Sequence, residues 1–295
     1  SVYPHWFFRN FLQISCDLNS VNRPLDFMFG IEKDWHFYWV NQFLETSKIP
    51  FSFVKSYGMM KFIRNSIDEG KYIELRLDQY YISDREEYRH RHFMHQNLIY
   101  GYDDSLKILY LLGYNSVGKM SKTTISYADV KYQFNKRGCV SNVYLIEYKP
   151  EAYGVTYQPE YIRRMLIQYL ESYNSRFDQR FPIDVTEVVL SGLMSEKGLN
   201  LILKDRRVLH LLYEHKFVME QRLEYLAYFE NHNAKIRKCF EDYNDIVGSA
   251  LNIRNLALKY QINGDEKIRN KIFNSLKEMM DKEKKILSEV VGLLS

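Results

Sequence analysis

Two hydrophobic periods divide this chain and limit what it can fold into. In KYIELRLDQYYI (71–82) the apolar Ile73, Leu75 and Leu77 alternate with Glu74, Arg76 and Asp78, the period of two of a half-buried strand. From Pro159 onward the spacing is three and four: Ile162, Met165, Leu166 and Tyr169, and later Leu209, Leu212, Tyr213 and Lys216. That is the period of helices burying one face. An α+β chain follows, mixed at first and helical afterwards, with the change near residue 155, where Pro150 and Gly154 fall. Its 295 residues suffice for two modest domains, expected at 1–155 and 156–295.

Within the first half, NLIYGYDD (97–104) and KILYLLGYN (107–115) flank Asp103-Asp104-Ser105 and predict a β-hairpin. CVSNVYLIEYKP (139–150) predicts a further strand, and ISYADVKYQFNKRG before it fits a short helix or a loop. Segments 36–47 and 57–70 read as short helical or aromatic stretches, the second stopped at Gly70. Pro182, Gly192, Gly198 and Asn263-Gly264 cut the second half into four to six helices, the last over about 265–293, with Asp184 to Glu187 resembling a helix start.

Composition removes several classes of function. Hydrophobic residues at 46% and charged residues at 26% describe a chain that folds rather than a disordered one. The net charge of +4 is spread along the length, which argues against nucleic acid as partner. No run approaches the ~18 apolar residues of a membrane span and no secretory leader opens the chain, so a cytoplasmic protein without a membrane partner is expected. Ser1 in place of Met points to a processed or tag-derived start. Cys16, Cys139 and Cys239 are too far apart for metal-ligand spacing and odd in number, so they are read as thiols. His90, His92 and His95 lack an acidic or cysteine co-ligand and have Arg neighbours, so no metal is expected. The 25 Tyr and 18 Phe either fill the core or line a substrate groove.

A thiolate is the strongest nucleophile on offer, and it needs a nearby imidazole or a helix N-terminus to form near neutral pH. Cys16 in NFLQISCDLNSV has apolar anchors and polar surroundings suited to either aid, or else it is a small buried hydrophobe, the reading given to Cys139 and Cys239. His95 opens the hairpin. With the turn near Ser105, facing positions sum to about 210, which sets Asn115 opposite His95, or Gly113 or Tyr114 after a slip. A side-chain amide beside an imidazole fixes its tautomer, as in a Cys-His-Asn triad.

The stretch HQNLIYGYDDSLKILYLLGYNSVGKMSKTTISYADV resembles the signature hairpin of the butirosin-biosynthesis H family, an acyltransferase branch of the papain-like cysteine peptidase fold. FGIEKDWHFYW (29–39), LDQYYI (77–82) and LLYEHKFVMEQRLEYL (211–226) extend the similarity over most of the chain. The resemblance implies a papain-like N-terminal domain with an antiparallel sheet, followed by an α-helical domain. It assigns the nucleophile to Cys16 and the base to His95. Many relatives carry an Asp where this chain has Gly113, which leaves Asn115 to orient the imidazole or leaves catalysis reduced or absent.

The implied reaction is acyl transfer in a specialised-metabolite pathway of the nonribosomal-peptide or polyketide type. The partners are an acyl carrier protein or peptidyl carrier domain and a small amine acceptor. The chain needs no cofactor of its own, because the phosphopantetheine arm arrives on the carrier. His95 deprotonates Cys16, the thiolate attacks the thioester, and Asn10 or Gln13 with the Cys16 N–H holds the oxyanion. The imidazolium protonates the departing thiol, and the neutral ring then accepts the amine proton. Water as acceptor would make the same centre a peptide or amide hydrolase, and a chain that has lost the triad acid would be a noncatalytic scaffold. Tyr100 is placed with the substrate, and Trp35, with His36 and Trp39, either forms an aromatic wall or packs the core. His215 approaches the substrate or is structural, with Glu214 and Arg222 beside it in the same motif, and helix 265–293 could pair across a homodimer.

Overall fold

The computed structural model describes residues 3–10, 12–16, 25–27, 43–136, 142–149, 156–171, 195–230 and 234–294. The chain divides into two compact units, His36–Tyr153 and a discontinuous one made of Ser1–Trp35 with Gly154–Ser295. One division falls between Tyr153 and Gly154, and the first 35 residues group with the helical half rather than with the sheet. The reason is packing: Leu12, Ile14 and Leu25 are buried in one core with Leu166, Leu212, Leu223 and Leu287.

In the sheet unit, β3 (Leu44–Pro50), β4 (Tyr72–Asp78), β5 (Met94–Asp103), β6 (Ile108–Tyr114), β7 (Met120–Ser126) and β8 (Asn142–Tyr148) form one sheet in the order β3-β8-β4-β5-β6-β7. Every neighbouring pair is antiparallel. The alternation read in β4 buries Ile73, Leu75 and Leu77 with Ile99, Leu109 and Leu111 from the hairpin strands. Asp78, expected on the solvent side, is fully buried. Helices α2 (Phe51–Tyr57), α3 (Met59–Asp68) and α4 (Tyr127–Lys136) contribute Val54, Phe62, Ile63, Val130 and Phe134 to the same core. Helix α3 ends before Gly70, whose φ of 80° is left-handed and favours glycine.

Two expectations change here. Leu44–Ser47, read as helical or aromatic, opens strand β3, while residues 36–42 of that segment lie outside the described residues. Met120–Thr124, given no structure from sequence, and Ile125–Ser126, read as the start of a short helix or loop, form strand β7. The hairpin keeps the expected register, Leu98 facing Leu112 and Ile99 facing Leu111, until a bulge at Tyr100 shifts it to Gly101 facing Tyr110.

The other unit holds α1 (Tyr3–Asn10), the short antiparallel pair β1 (Ile14–Cys16) and β2 (Leu25–Phe27), and five helices among its described residues. These are α5 (Pro159–Leu170), α6 (Glu196–Lys204), α7 (Arg206–Phe229), α8 (Ala234–Asn263) and α9 (Glu266–Leu293). The helix start proposed at Asp184 to Glu187 lies outside the described residues. Asp205 and Asp265 cap α7 and α9, each accepting from the backbone N–H two residues on. The apolar face of α9, expected to be free for a second copy, is spent inside the unit: Ile272, Leu276, Met279, Leu287 and Val290 are buried in its core.

One polar cluster lies within this apolar core. Glu283 on α9 receives Lys216 Nζ of α7 at 2.7 Å and the hydroxyls of Tyr169 and Tyr243. Burial, then the charge of Glu283, raises both phenols well above the ordinary tyrosine range, so they stay neutral donors.

Candidate functional site

Cys16 closes β1, its Cα paired with that of Leu25, and only its backbone falls within the described residues. The expected helix N-terminus is therefore replaced, at Cys16 itself, by strand. That strand is pinned from the helical half. His215 donates Nε2–H to the Leu12 carbonyl at 2.8 Å, and Arg222 Nε donates to the Phe8 carbonyl at 2.7 Å. His215 is 1% exposed, with Tyr169 and Phe27 against its ring at 5.3 and 5.8 Å. Of its two readings, substrate contact or structural histidine, the structural one fits: it is an internal clamp on the segment leading to Cys16. Glu214, from the same motif, is exposed and pairs with His210 at 3.4 Å.

Burial, aided by the neighbouring Lys216 cation, holds the His215 imidazole well below the ordinary histidine range. The fold thus refuses a proton that the unfolded chain binds below about pH 6.5, so stability is complete above that pH and lost as pH falls. Urea denaturation followed by circular dichroism should show up to ~1.4 kcal/mol lost per pH unit below about pH 6.5, and His215→Asn should remove that component.

The two oxyanion candidates present the wrong atoms. Asn10 Nδ2 donates back to the Trp6 carbonyl at 2.8 Å. Gln13 Nε2 donates to the Met165 carbonyl at 2.9 Å, and its buried Oε1, an acceptor, is the end without a partner. An oxyanion needs donors, and these two amides are turned inward to structural carbonyls.

In the sheet unit, His95 sits on the core face of β5, in the row of Asn97 and Ile99 and paired with Leu77. Its ring stacks on Phe93 at 5.7 Å, and Nδ1 lies 3.1 Å from the Gln96 carbonyl. A carbonyl only accepts, so Nδ1 carries the proton and Nε2 the lone pair. Asn115 lies beyond the end of β6 and does not orient this ring. Its Oδ1 accepts from the Val117 and Lys119 N–H groups at 3.1 and 2.9 Å and shapes the β6–β7 turn. Tyr100, at the bulge, stacks on Tyr110 at 6.0 Å beneath the Lys122 ammonium, on the face opposite His95. It cannot share a pocket wall with that imidazole on one face of the sheet.

The volume at Gly113 is occupied. A Cβ there would lie 2.7 Å from Arg85 Nη2 and 3.2 Å from Asn97 Oδ1. The Arg85 guanidinium, fully buried, donates to the Gly113 carbonyl at 3.3 Å and to Asn97 Oδ1 at 3.4 Å, with Asp84 at 4.0 Å. Asn97 in turn donates to the His95 carbonyl at 2.9 Å. A cation therefore fills the space beside Gly113.

Sequence reasoning missed an imidazole that does have a carboxylate. His92 Nδ1 is 2.7 Å from Oδ2 of the buried Asp78. The alternation sets Asp78 on the outward side of β4 and His92 has no metal co-ligand in the sequence, so no sequence pattern joins the two.

Cys239 is buried, and burial pushes its thiol up to about 11, so it is inert as a nucleophile at neutral pH. Cys139, Trp35, His36 and Trp39 lie outside the described residues. Among the described residues no group of three or more His, Cys, Asp or Glu is arranged to hold a metal, and no helix is long and apolar enough to cross a membrane. No known family model and no curated protein matches the chain, so the reading of its function rests on these side chains and the motifs that carry them.

Proposed function

We propose that the chain is a cysteine-dependent acyltransferase with Cys16 as its nucleophile and His95 as its base. It would take an acyl group from a carrier-protein pantetheine thioester and deliver it to an amine. The observation that carries the reading is the His95 tautomer: with Nδ1–H committed to the Gln96 carbonyl, Nε2 is left as a base. The reaction requires the Cys16 sulfur to meet that nitrogen. Nε2 takes the thiol proton, and the thiolate adds to the thioester carbonyl. The C–S bond to pantetheine then breaks, and the imidazolium returns its proton to the departing thiolate. An amine next attacks the acyl-Cys16 carbonyl, Cys16 leaves as thiolate, and an imidazole accepts the ammonium proton. Asn115 has no part in orienting His95, so the centre is a dyad.

Intact-protein mass spectrometry after incubation with acyl-pantetheine thioesters tests this. Wild type should gain one acyl mass and Cys16→Ala none, while His95→Asn should load ~10²–10⁴-fold more slowly. An acyl adduct of equal yield in Cys16→Ala overturns the reading.

One observation favours a second reading, a noncatalytic binding or scaffolding protein: the Arg85 guanidinium beside Gly113 has the opposite charge to a triad acid. No adduct from any thioester, with Cys16 also unreactive toward iodoacetamide, is the outcome expected of it.

A further inference from the structure

We propose that the groove between α8 and α9 binds a small molecule carrying both a phosphate group and hydroxyls, the chemistry shared by nucleotides and phosphorylated sugars. The groove lies wholly within the helical unit and uses neither Cys16 nor His95, so it stands or falls apart from the acyl-transfer reading. It has a volume of about 500 Å³ and is lined by residues of these two helices. That size falls within the range of small-ligand sites.

The sequence spacing puts one stripe of each helix on the groove. On α8 the stripe runs through Ser249, Asn252, Leu256 and Lys259, and on α9 through Lys271, Ser275, Glu278 and Lys282, steps of three and four that share a helix face. Helix α8 ends at Asn263 and α9 begins at Glu266, so the chain turns straight back on itself. Counted inward from that turn by helix rise, Lys259 and Lys271 stand abreast at about 6 and 8 Å. Asn252 and Glu278 follow abreast at about 17 and 18 Å, and Ser249 and Lys282 close the far end.

Two ammonium groups abreast repel each other, and the protein offers them no anion. Elsewhere on the same helices cations are matched, Lys238 with Asp242 at 3.2 Å and Arg269 with Glu266 at 3.3 Å. Lys259, Lys271 and Lys282 have no ion pair among the described residues, and the side chains of Ser249, Asn252 and Ser275 have no hydrogen bond there. Asn255 accepts from Arg254 at 3.1 Å through Oδ1 and keeps its Nδ2 donor. The groove thus gathers ammonium, hydroxyl and amide donors over a floor that includes Met279, itself 1% exposed.

A phosphate takes several donors at once and offsets both lysines at the turn end. The lone acid of the lining, Glu278, repels an anion and accepts from hydroxyls, so the part of the ligand beyond the phosphate is a hydroxyl-bearing body rather than a second anion. An oligophosphate alone would leave that carboxylate facing like charge.

Isothermal titration calorimetry of the full chain with ADP, ribose 5-phosphate and inorganic pyrophosphate tests this, with the thermal midpoint followed in parallel. ADP or ribose 5-phosphate should bind at one molecule per chain, and the tighter of the two tells a nucleotide site from a sugar-phosphate site. Lys259→Gln/Lys271→Gln should weaken that probe by ~10-fold or more, while Lys238→Gln, on α8 but outside the groove, should leave it unchanged. All these lysines are exposed, and circular dichroism checks that the variants keep the fold. Glu278→Gln should weaken the hydroxyl-bearing probe and tighten pyrophosphate. Neither heat nor a rise in thermal midpoint with any probe at ~1 mM overturns the proposal, as does an equal loss in the double lysine variant and Lys238→Gln. Pyrophosphate binding as tightly as the other two, with Glu278→Gln tightening all three, overturns the hydroxyl-bearing ligand.

Discussion

Glu283→Gln is expected to cost the helical unit ~3–5 kcal/mol, read as a fall in the urea midpoint by circular dichroism. The Lys216 side chain has no solvent exposure, and its ammonium has two partners, Glu283 at 2.7 Å and the Tyr169 hydroxyl at 2.9 Å. Removing the anion leaves a buried cation with only a neutral hydroxyl, and the desolvation already incurred is no longer offset. Lys216→Met should cost less than Glu283→Gln, since the abandoned carboxylate keeps Tyr169 and Tyr243 as donors. The double variant Lys216→Met/Glu283→Gln should lose less than the two single losses together, because each change removes the penalty left by the other. Strict additivity would mean that the two groups do not act as a pair.

Gly113→Val should destabilise the sheet unit by about 1–3 kcal/mol, for a reason unrelated to backbone freedom. The new Cβ would lie 2.7 Å from Arg85 Nη2, inside contact distance, and the guanidinium has no solvent to retreat into. Its buried Nε already lacks a partner, and displacement would weaken the long bonds to Gly113 and Asn97. Arg85→Met should empty the slot, so that Gly113→Val costs less in that background by ~0.5–3 kcal/mol in thermal unfolding. An equal cost in both backgrounds would dissociate Gly113 from Arg85.

The parts of the sheet legible in the sequence are those where burial on one face leaves its own trace. In β4 the apolar alternation marks the strand, and in β5 and β6 the turn near Ser105 sets the register, down to Ile99 facing Leu111. The last helix was legible for the same reason, its observed span Glu266–Leu293 matching the spacing. Strands β3 and β7 left no such trace. They are the two edges of the sheet, and only Ile125 of their side chains is buried, so pairing with β8 and β6 makes them strands rather than any pattern of their own. The placement of residues 3–16 was equally hidden, since their anchors, His215 and Arg222, lie more than 200 positions away.

The site divides in the same way. His95 could be found because a strand and a turn surround it. The Asp78–His92 pair could not, because it joins a strand end to a loop residue across a turn whose course only the fold supplies. Arg85 was invisible for a similar reason, since a glycine in a sequence does not say what fills the space it leaves.

The discontinuous unit also imposes an order in time. The sheet unit is continuous from His36 to Tyr153 and can fold while the rest of the chain is still being made. Leu12 must wait for His215, 203 positions later, about 10–40 s at ordinary rates of synthesis. Residues 3–16 thus emerge before the sheet unit and are seated after it. A chain cut short before α7 would carry a complete sheet and a Cys16 strand without its His215 and Arg222 clamps, so the proposed nucleophile is fully secured only after the sheet unit has been made.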